Sequence, residues 1–187
     1  IVSIEGRPLY GGTPSDSSVV QAIQAMNAAG KAVMFYPFVL MDQLEGNTLP
    51  DPYDPSATQP HLPWRGRITL SVAPGVTGSP DGTSAADGEV EAFFGTARAS
   101  HYRISSSVTY LGPAEWSLSR FILHYAALCK LAGGVEAFCI GSEFRGLTQI
   151  RGSGNAFVVV QKLRELAAEV RAILGSHTKI SYAADWT

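Results

Sequence analysis

The sequence has few cysteines and histidines, and none of them stands in a metal-binding pattern. Its two cysteines, Cys129 and Cys139, lack CxxC spacing, and the four histidines form neither an HxH nor an HExxH motif. No glycine-rich dinucleotide fingerprint follows a predicted strand. We therefore expect two buried free thiols, no protein-bound metal and no cofactor.

Charged residues and long apolar runs are also scarce. Charged residues make up 16% of the chain, the net charge is −2, and the lysines and arginines are scattered along the sequence. This distribution argues against nucleic-acid binding through phosphate neutralisation. No apolar run approaches the ~20 residues that cross a bilayer, so we expect no membrane span.

The residues that are present fit one globular domain. The chain has 187 residues, of which 45% are hydrophobic, and this length suits one domain with a core rather than two. We therefore assign residues 1–187 to a single domain. Because the sequence begins at Ile1 rather than at a methionine, we also expect it to be a piece of a larger protein.

Helix-type and strand-type patterns alternate along the chain. Apolar residues three or four positions apart predict helices at about 13–30, 84–97, 113–132 and 155–175, with Thr13 and Asn155 as caps. Short apolar runs predict strands at 31–41, 67–72, 135–140 and 179–184. Residues 43–112 form a long insertion, in which five of the eleven prolines fall between Pro50 and Pro63. The alternation predicts an α/β fold with parallel strands, best met by a (β/α)8 TIM barrel or part of one.

Polar residues follow the predicted strands at the edge where ligands bind in α/β proteins. Glu143 follows the buried strand directly and is a candidate catalytic residue, although it could equally be a solvated loop residue or an ion-pair partner of Arg145. Asp42 and Asp185 follow two other strands in the same way. Asp42 is a candidate substrate-binding residue, the alternative being a turn or cap role.

Aromatic residues accompany these carboxylates. Tyr182 and Trp186 flank Asp185, and the proline-rich loop carries Trp64 and Arg65, which suit stacking on sugars or gripping polar ligands. Trp64 could instead pin the loop to the body of the domain. If the strands before Glu143 and Asp185 are neighbours, their ends lie ~5 Å apart. Two carboxylates at that range suit glycoside hydrolysis, but also a structural pair.

Several motifs carry a resemblance to known families. The segments GSEFRGLT and SYAADW are similar to strands of the TIM-barrel glycoside hydrolases whose catalytic glutamates lie on strands four and seven, in particular the mannanase-like members. A match over almost the whole chain includes YGGTPSD, YPF, LPDPY, PWRGRIT and FILHYA. These segments resemble the glycoside-hydrolase-like TIM-barrel domain of the large tail protein of gene transfer agents and related phage tails.

This resemblance implies roles for individual residues. Glu143 would be the general acid/base on the fourth strand, and the nucleophile would belong on a seventh strand beyond this chain. Asp185 matches a position that shapes the substrate cleft, where asparagine is usual, and is therefore assigned to substrate binding with Tyr182, Trp186, Asp42, Trp64, Arg65 and Arg145. A full barrel needs about 250 residues. We therefore expect only part of a barrel here, with little or no turnover by this chain alone.

The resulting functional hypothesis is a glycoside-hydrolase-like domain of a phage-like tail. It would be made in the bacterial cytoplasm, reside in the particle tail with other tail proteins, and bind or cleave a bacterial surface polysaccharide or peptidoglycan. The alternative is a structural or carbohydrate-binding module of the tail hub that has no catalytic activity.

Overall fold

Helices and short strands alternate in the computed structural model, which describes residues 3–4, 7–8, 13–41 and 43–185. The strands are β1 (Ser3–Ile4), β2 (Arg7–Pro8), β3 (Met34–Phe35), β4 (Pro50–Asp51), β5 (Asp54–Thr58), β6 (Tyr102–Ile104), β7 (Val108–Tyr110), β8 (Ala137–Ser142) and β9 (Lys179–Ala183). The helices are α1 (Asp16–Ala28), α2 (Ser84–Phe94), α3 (Leu118–Leu131), α4 (Arg145–Thr148) and α5 (Val158–Leu174). Within the described residues, no helix combines the length and the apolar character that a bilayer crossing requires.

A three-stranded parallel sheet lies at the centre of the fold. Its order is β3-β8-β9, and both neighbouring pairs are parallel. The predicted parallel pairing is therefore confirmed for β3, β8 and β9, with α3 between β3 and β8 and α5 between β8 and β9 in the chain. The described residues do not close a barrel, because β3 and β9 are the two edges of this sheet.

Helices α1, α3 and α5 pack together over the sheet and enclose one core. Phe35 of β3 stacks on Phe138 of β8 and on Tyr125 of α3, with ring centroids 5.9 and 5.6 Å apart. The residues that α3 and α5 bury in this core include Leu118, Ile122, Leu123, Ala126, Cys129, Val159, Leu166 and Val170. Cys139 is also buried, and both cysteines are free. The core buries β8 as far as Ser142, and partial exposure returns at Glu143, directly after the strand.

Two predicted helix caps are wrong. The hydroxyl of Ser15, rather than that of Thr13, accepts a hydrogen bond from the Ser18 amide at the start of α1. At the other site, α5 begins at Val158 after Phe157, and Asn155 lies in a short 3₁₀ turn with φ 61°. Asparagine tolerates this left-handed conformation better than most residues, so Asn155 turns the chain before the helix instead of capping it.

The insertion at 43–112 is more ordered than the sequence predicted. Its proline-rich part contains the β4–β5 hairpin, where the Asp51 and Asp54 carboxylates accept hydrogen bonds from the Tyr53 and Ser56 amides. Such side-chain turns allow a proline-rich segment to reverse. The strand predicted at 67–72 is wrong. Residues 65–67 form a 3₁₀ turn, and Thr69 donates to the Gly146 carbonyl instead of pairing with a strand.

Candidate functional site

A bulge at the carboxyl end of β8 determines where Glu143 is placed. Cys139 pairs with Ser181 and Ser142 pairs with Ala183, so β8 contains one more residue than β9 over this stretch. Bulges of this kind redirect a strand and are common beside active sites. Glu143 follows with φ 50°, and its amide donates to the Ala183 carbonyl at 2.9 Å. A left-handed backbone is unusual at a glutamate and is a mark of functional sites.

The Glu143 carboxylate is held through one of its two oxygens. Trp64 Nε1 donates to Oε2 at 2.8 Å, and Arg65 Nη2 donates to the same oxygen at 2.7 Å. The hydrogen bonds found among the described residues do not reach Oε1. Because the side chain is 29% exposed, the site presents one fixed carboxylate with its second oxygen available to a ligand.

Arg65 is a buried guanidinium that joins three elements. Its side chain is 7% exposed, and its Nε donates to both the carbonyl and the hydroxyl of Ser142, at 3.1 and 2.8 Å. Its Cζ lies 3.7 Å from the centroid of the Phe38 ring. A buried cation needs a partner and satisfied donors. Glu143 and Ser142 supply them, so Arg65 fixes the turn that carries the carboxylate.

Tyr53 extends the site along the proline-rich hairpin. Its ring stacks on Trp64 at 6.2 Å, and the guanidinium carbons of Arg145 and Arg67 lie 5.6 and 5.9 Å from its centroid. Burial raises the pKa of the Tyr53 phenol, the positive charges of Arg145 and Arg67 oppose this rise, and the negative charge of Asp185 adds to it. Asp185 therefore lies within electrostatic range of the Tyr53–Trp64 pair.

Two close backbone contacts hold the 3₁₀ turn against α4. A Cβ at Gly146 would lie 2.5 Å from the Ile68 carbonyl oxygen and 2.6 Å from that of Gly66. At Gly66, a Cβ would collide with the Trp64 ring at 2.5 Å. Only glycine fits at such distances, so these residues bring Trp64 and Arg65 within reach of Glu143.

Tyr182 contacts the backbone of the turn that carries Glu143. The Phe144 amide donates to the Tyr182 hydroxyl at 2.8 Å, and the two rings are 6.4 Å apart. Burial raises the pKa of the Tyr182 phenol, and the charge of Asp185 contributes to the rise, although the Phe144 amide opposes it. Asp185 is half-buried after β9. Tyr182 thus supports the turn and lies near Asp185.

The structure gathers most of the predicted site residues at one edge of the sheet. Glu143, Trp64 and Arg65 are in direct contact, whereas Arg145 and Asp185 act on the neighbouring Tyr53 ring. Asp42 and Trp186, two further predicted site residues, lie outside the described residues.

Sequence reasoning missed Ser142 and Phe38. Ser142 follows a strand-end glycine and Phe38 follows Pro37 in a strand-like run, so neither has a pattern that indicates contact with Arg65.

Other kinds of site are not found in the described part of the chain. It contains no group of three or more His, Cys, Asp or Glu side chains that could hold a metal ion. A groove of about 530 Å³ lies between α1, α3 and the segment after β3, and its walls are uncharged. Glu143 does not line this groove. The edge of the sheet at the carboxyl ends of β8 and β9, where Glu143 lies, therefore remains the candidate site. We call it the carboxylate edge.

Comparison with known proteins supports part of the predicted resemblance. A family model described as a GTA TIM-barrel-like domain matches residues 116–187. This part of the chain thus resembles a gene-transfer-agent barrel domain, and it includes β8, Glu143, β9 and Asp185. A search of curated proteins found no match. The similarity to mannanase-like glycoside hydrolases stays a prediction.

Proposed function

We propose that this domain binds a bacterial surface glycan or peptidoglycan at the carboxyl edge of β8 and β9, with Glu143 as the general acid/base of a glycoside-hydrolase-like reaction. One observation carries the proposal. Trp64 and Arg65 both donate to Oε2 of Glu143, and this leaves Oε1 for a ligand. A carboxylate fixed at one oxygen and partly exposed at the other is oriented for proton transfer or for hydrogen bonding to a sugar.

The two hydrogen bonds to Oε2 determine which oxygen of Glu143 would carry the acid proton. In the protonated acid, Oε2 is the carbonyl oxygen and keeps both hydrogen bonds, so the proton resides on Oε1. Oε1 then gives that proton to the glycosidic oxygen as the bond from this oxygen to the anomeric carbon breaks. A water or a second carboxylate takes the vacated position on that carbon. The resemblance implies that this second carboxylate lies on a seventh strand. We therefore propose Asp185 as a sugar-binding residue and not as the nucleophile.

The surrounding side chains have proposed supporting roles. Trp64 and the exposed Tyr53 offer aromatic surface to a sugar ring. Arg65 is almost fully buried, so we propose that it acts on the substrate through Glu143 and not by direct contact. Because related motifs belong to tail proteins, we further propose that the domain is part of a phage-like particle and contacts other tail proteins.

The second candidate is a glycan-binding module without catalysis. The ion pair between Arg65 and Glu143 favours it, because the two charges compensate each other without any ligand. In this case, Glu143 would accept a hydrogen bond from a sugar hydroxyl and would transfer no proton.

Product release from glycans separates the two candidates. A protein containing this domain together with the strand expected to bear the nucleophile is incubated with cell-wall sacculi and with manno-oligosaccharides. For general acid catalysis we expect Glu143→Gln to release product about 10²–10⁴-fold more slowly. Equal release by both proteins would remove Glu143 from catalysis, and binding without turnover by the wild type would support the binding module.

A further inference from the structure

Among the described arginines at the carboxylate edge, Arg145 differs from Arg65 and Arg67 in forming no ion pair. Arg65 pairs with Glu143 at 2.7 Å, and Arg67 pairs with Asp51 at 2.8 Å. Arg145 is exposed, and within the described part of the chain it takes part in no ion pair. It lies two residues after Glu143 and follows the same turn.

The Arg145 guanidinium is nevertheless placed by a specific contact. Its Cζ lies 5.6 Å from the centroid of the Tyr53 ring, which stacks on Trp64, and Trp64 donates to Glu143. A cation at this distance is attracted by an aromatic ring. Arg145, Tyr53, Trp64 and Glu143 therefore form one contiguous surface.

We propose that Arg145 binds a carboxylate of peptidoglycan, so that the site selects acidic cell-wall polymer. This inference rests on the proposed glycan-binding function and specifies its substrate class. A planar guanidinium donates two parallel hydrogen bonds to a carboxylate, which suits this recognition better than an ammonium group does. Asp185, a negative charge near Tyr53, is proposed to accept sugar hydroxyls beside that contact.

The test compares sacculi with the same sacculi after chemical amidation of their carboxyl groups. Sedimentation of the 187-residue chain with each material gives two dissociation constants. The proteins are wild type, Arg145→Gln, Arg145→Lys and Arg164→Gln. Arg164 is an exposed arginine on α5, so its variant makes the same change of net charge on a helix away from the sheet edge.

We expect the wild type and R164Q to bind native sacculi about tenfold more tightly than amidated sacculi, as one charge-assisted contact allows. R145Q should bind both materials with the weaker affinity, and R145K should recover part of the difference. Equal wild-type affinity for both materials, or an R145Q protein that still distinguishes them, would overturn the inference and leave the proposed function standing. Failure of the wild type to bind either material would overturn both.

Discussion

At the scale of the residue, the site depends on an ion pair between a buried arginine and a partly exposed glutamate. Arg65 also satisfies the carbonyl and hydroxyl of Ser142. Removing one partner of such a pair leaves the other charge without compensation in a region of low dielectric. The same contacts that orient Glu143 thus contribute to stability.

We expect Arg65→Ala to lower the free energy of unfolding by about 2–4 kcal/mol, because it leaves Ser142 without its donor and Glu143 without its cationic partner. Urea unfolding followed by circular dichroism measures this loss. Equal stability of R65A and the wild type would mean that the pair contributes nothing to the fold.

The sequence predicted some of these residues but could not predict their contacts. A carboxylate directly after a buried apolar run indicates a strand-end position, and Glu143 has it. The contacts from Trp64 and Arg65 join residues 79 and 78 positions apart in the chain. The periodicity of apolar residues reports only local structure, so it does not predict this pairing. It also does not predict that Arg65, which was expected to contact a ligand, is buried.

At the scale of the element, glycine positions decide how segments approach each other. Gly146 lies against two backbone carbonyls of the 3₁₀ turn, whereas a Cβ at Gly88, in the exposed face of α2, would meet no atom within 4 Å. The same substitution should therefore have opposite effects at the two positions.

We expect Gly146→Ala to lower the free energy of unfolding by about 1–3 kcal/mol, because backbone oxygens cannot move aside cheaply. Gly88→Ala should raise it by about 0.5–1 kcal/mol, since alanine is the better helix former. Thermal unfolding of the two variants checks both signs. A G146A protein as stable as the wild type would show that the turn is not tightly held against α4.

Glu115 connects the end of α2 with the start of α3 and should make this junction sensitive to acid. Burial disfavours its ionised form, but hydrogen bonds from Thr96, Ser117 and Ala97 outweigh this effect and lower its pKa from 4.5 to about 2. Because its pKa is lower in the folded state, the unfolded state binds more protons between these values. The stabilisation is fully present above pH 4.5 and is lost as the pH falls toward 2.

We expect the stability difference between wild type and Glu115→Gln to be largest near neutral pH and to shrink as the pH falls through this range. Urea unfolding at a series of pH values measures the difference. If it stayed constant from pH 6 to pH 2.5, the hydrogen bonds to Glu115 would not favour its ionised form.

Element types were more predictable than element limits. The periodic apolar residues of α3 and α5 correctly predicted two long helices, because their core faces are continuous. The 43–112 insertion was predicted less well, since the β4–β5 hairpin is held by side-chain turns rather than by an apolar pattern, and Thr69 bonds to α4.

At the scale of the whole molecule, one core supports both the helices and the strand that carries Glu143. Ile122 of α3 is completely buried, and Phe138 of β8 belongs to the same core. A destabilising substitution in the helix layer should therefore also disturb the structure of the carboxylate edge of the sheet.

We expect Ile122→Ala to destabilise the protein by about 2–5 kcal/mol through the cavity it creates. Helical circular dichroism and tryptophan fluorescence should shift together, as expected for one cooperative unit. Two separated transitions would instead indicate that the helices and the surroundings of the tryptophans unfold independently.

Glycan affinity, measured by sedimentation with sacculi, is the most direct test of whether the glycan binds beside Glu143. Glu91, an exposed residue of α2, provides a control variant with the same change of charge. We expect Glu143→Gln to bind about tenfold more weakly than the wild type, and Glu91→Gln to bind as the wild type does. Equal affinity of Glu143→Gln and the wild type would contradict this expectation, because the edge of the sheet at Glu143 would then not be where the glycan binds.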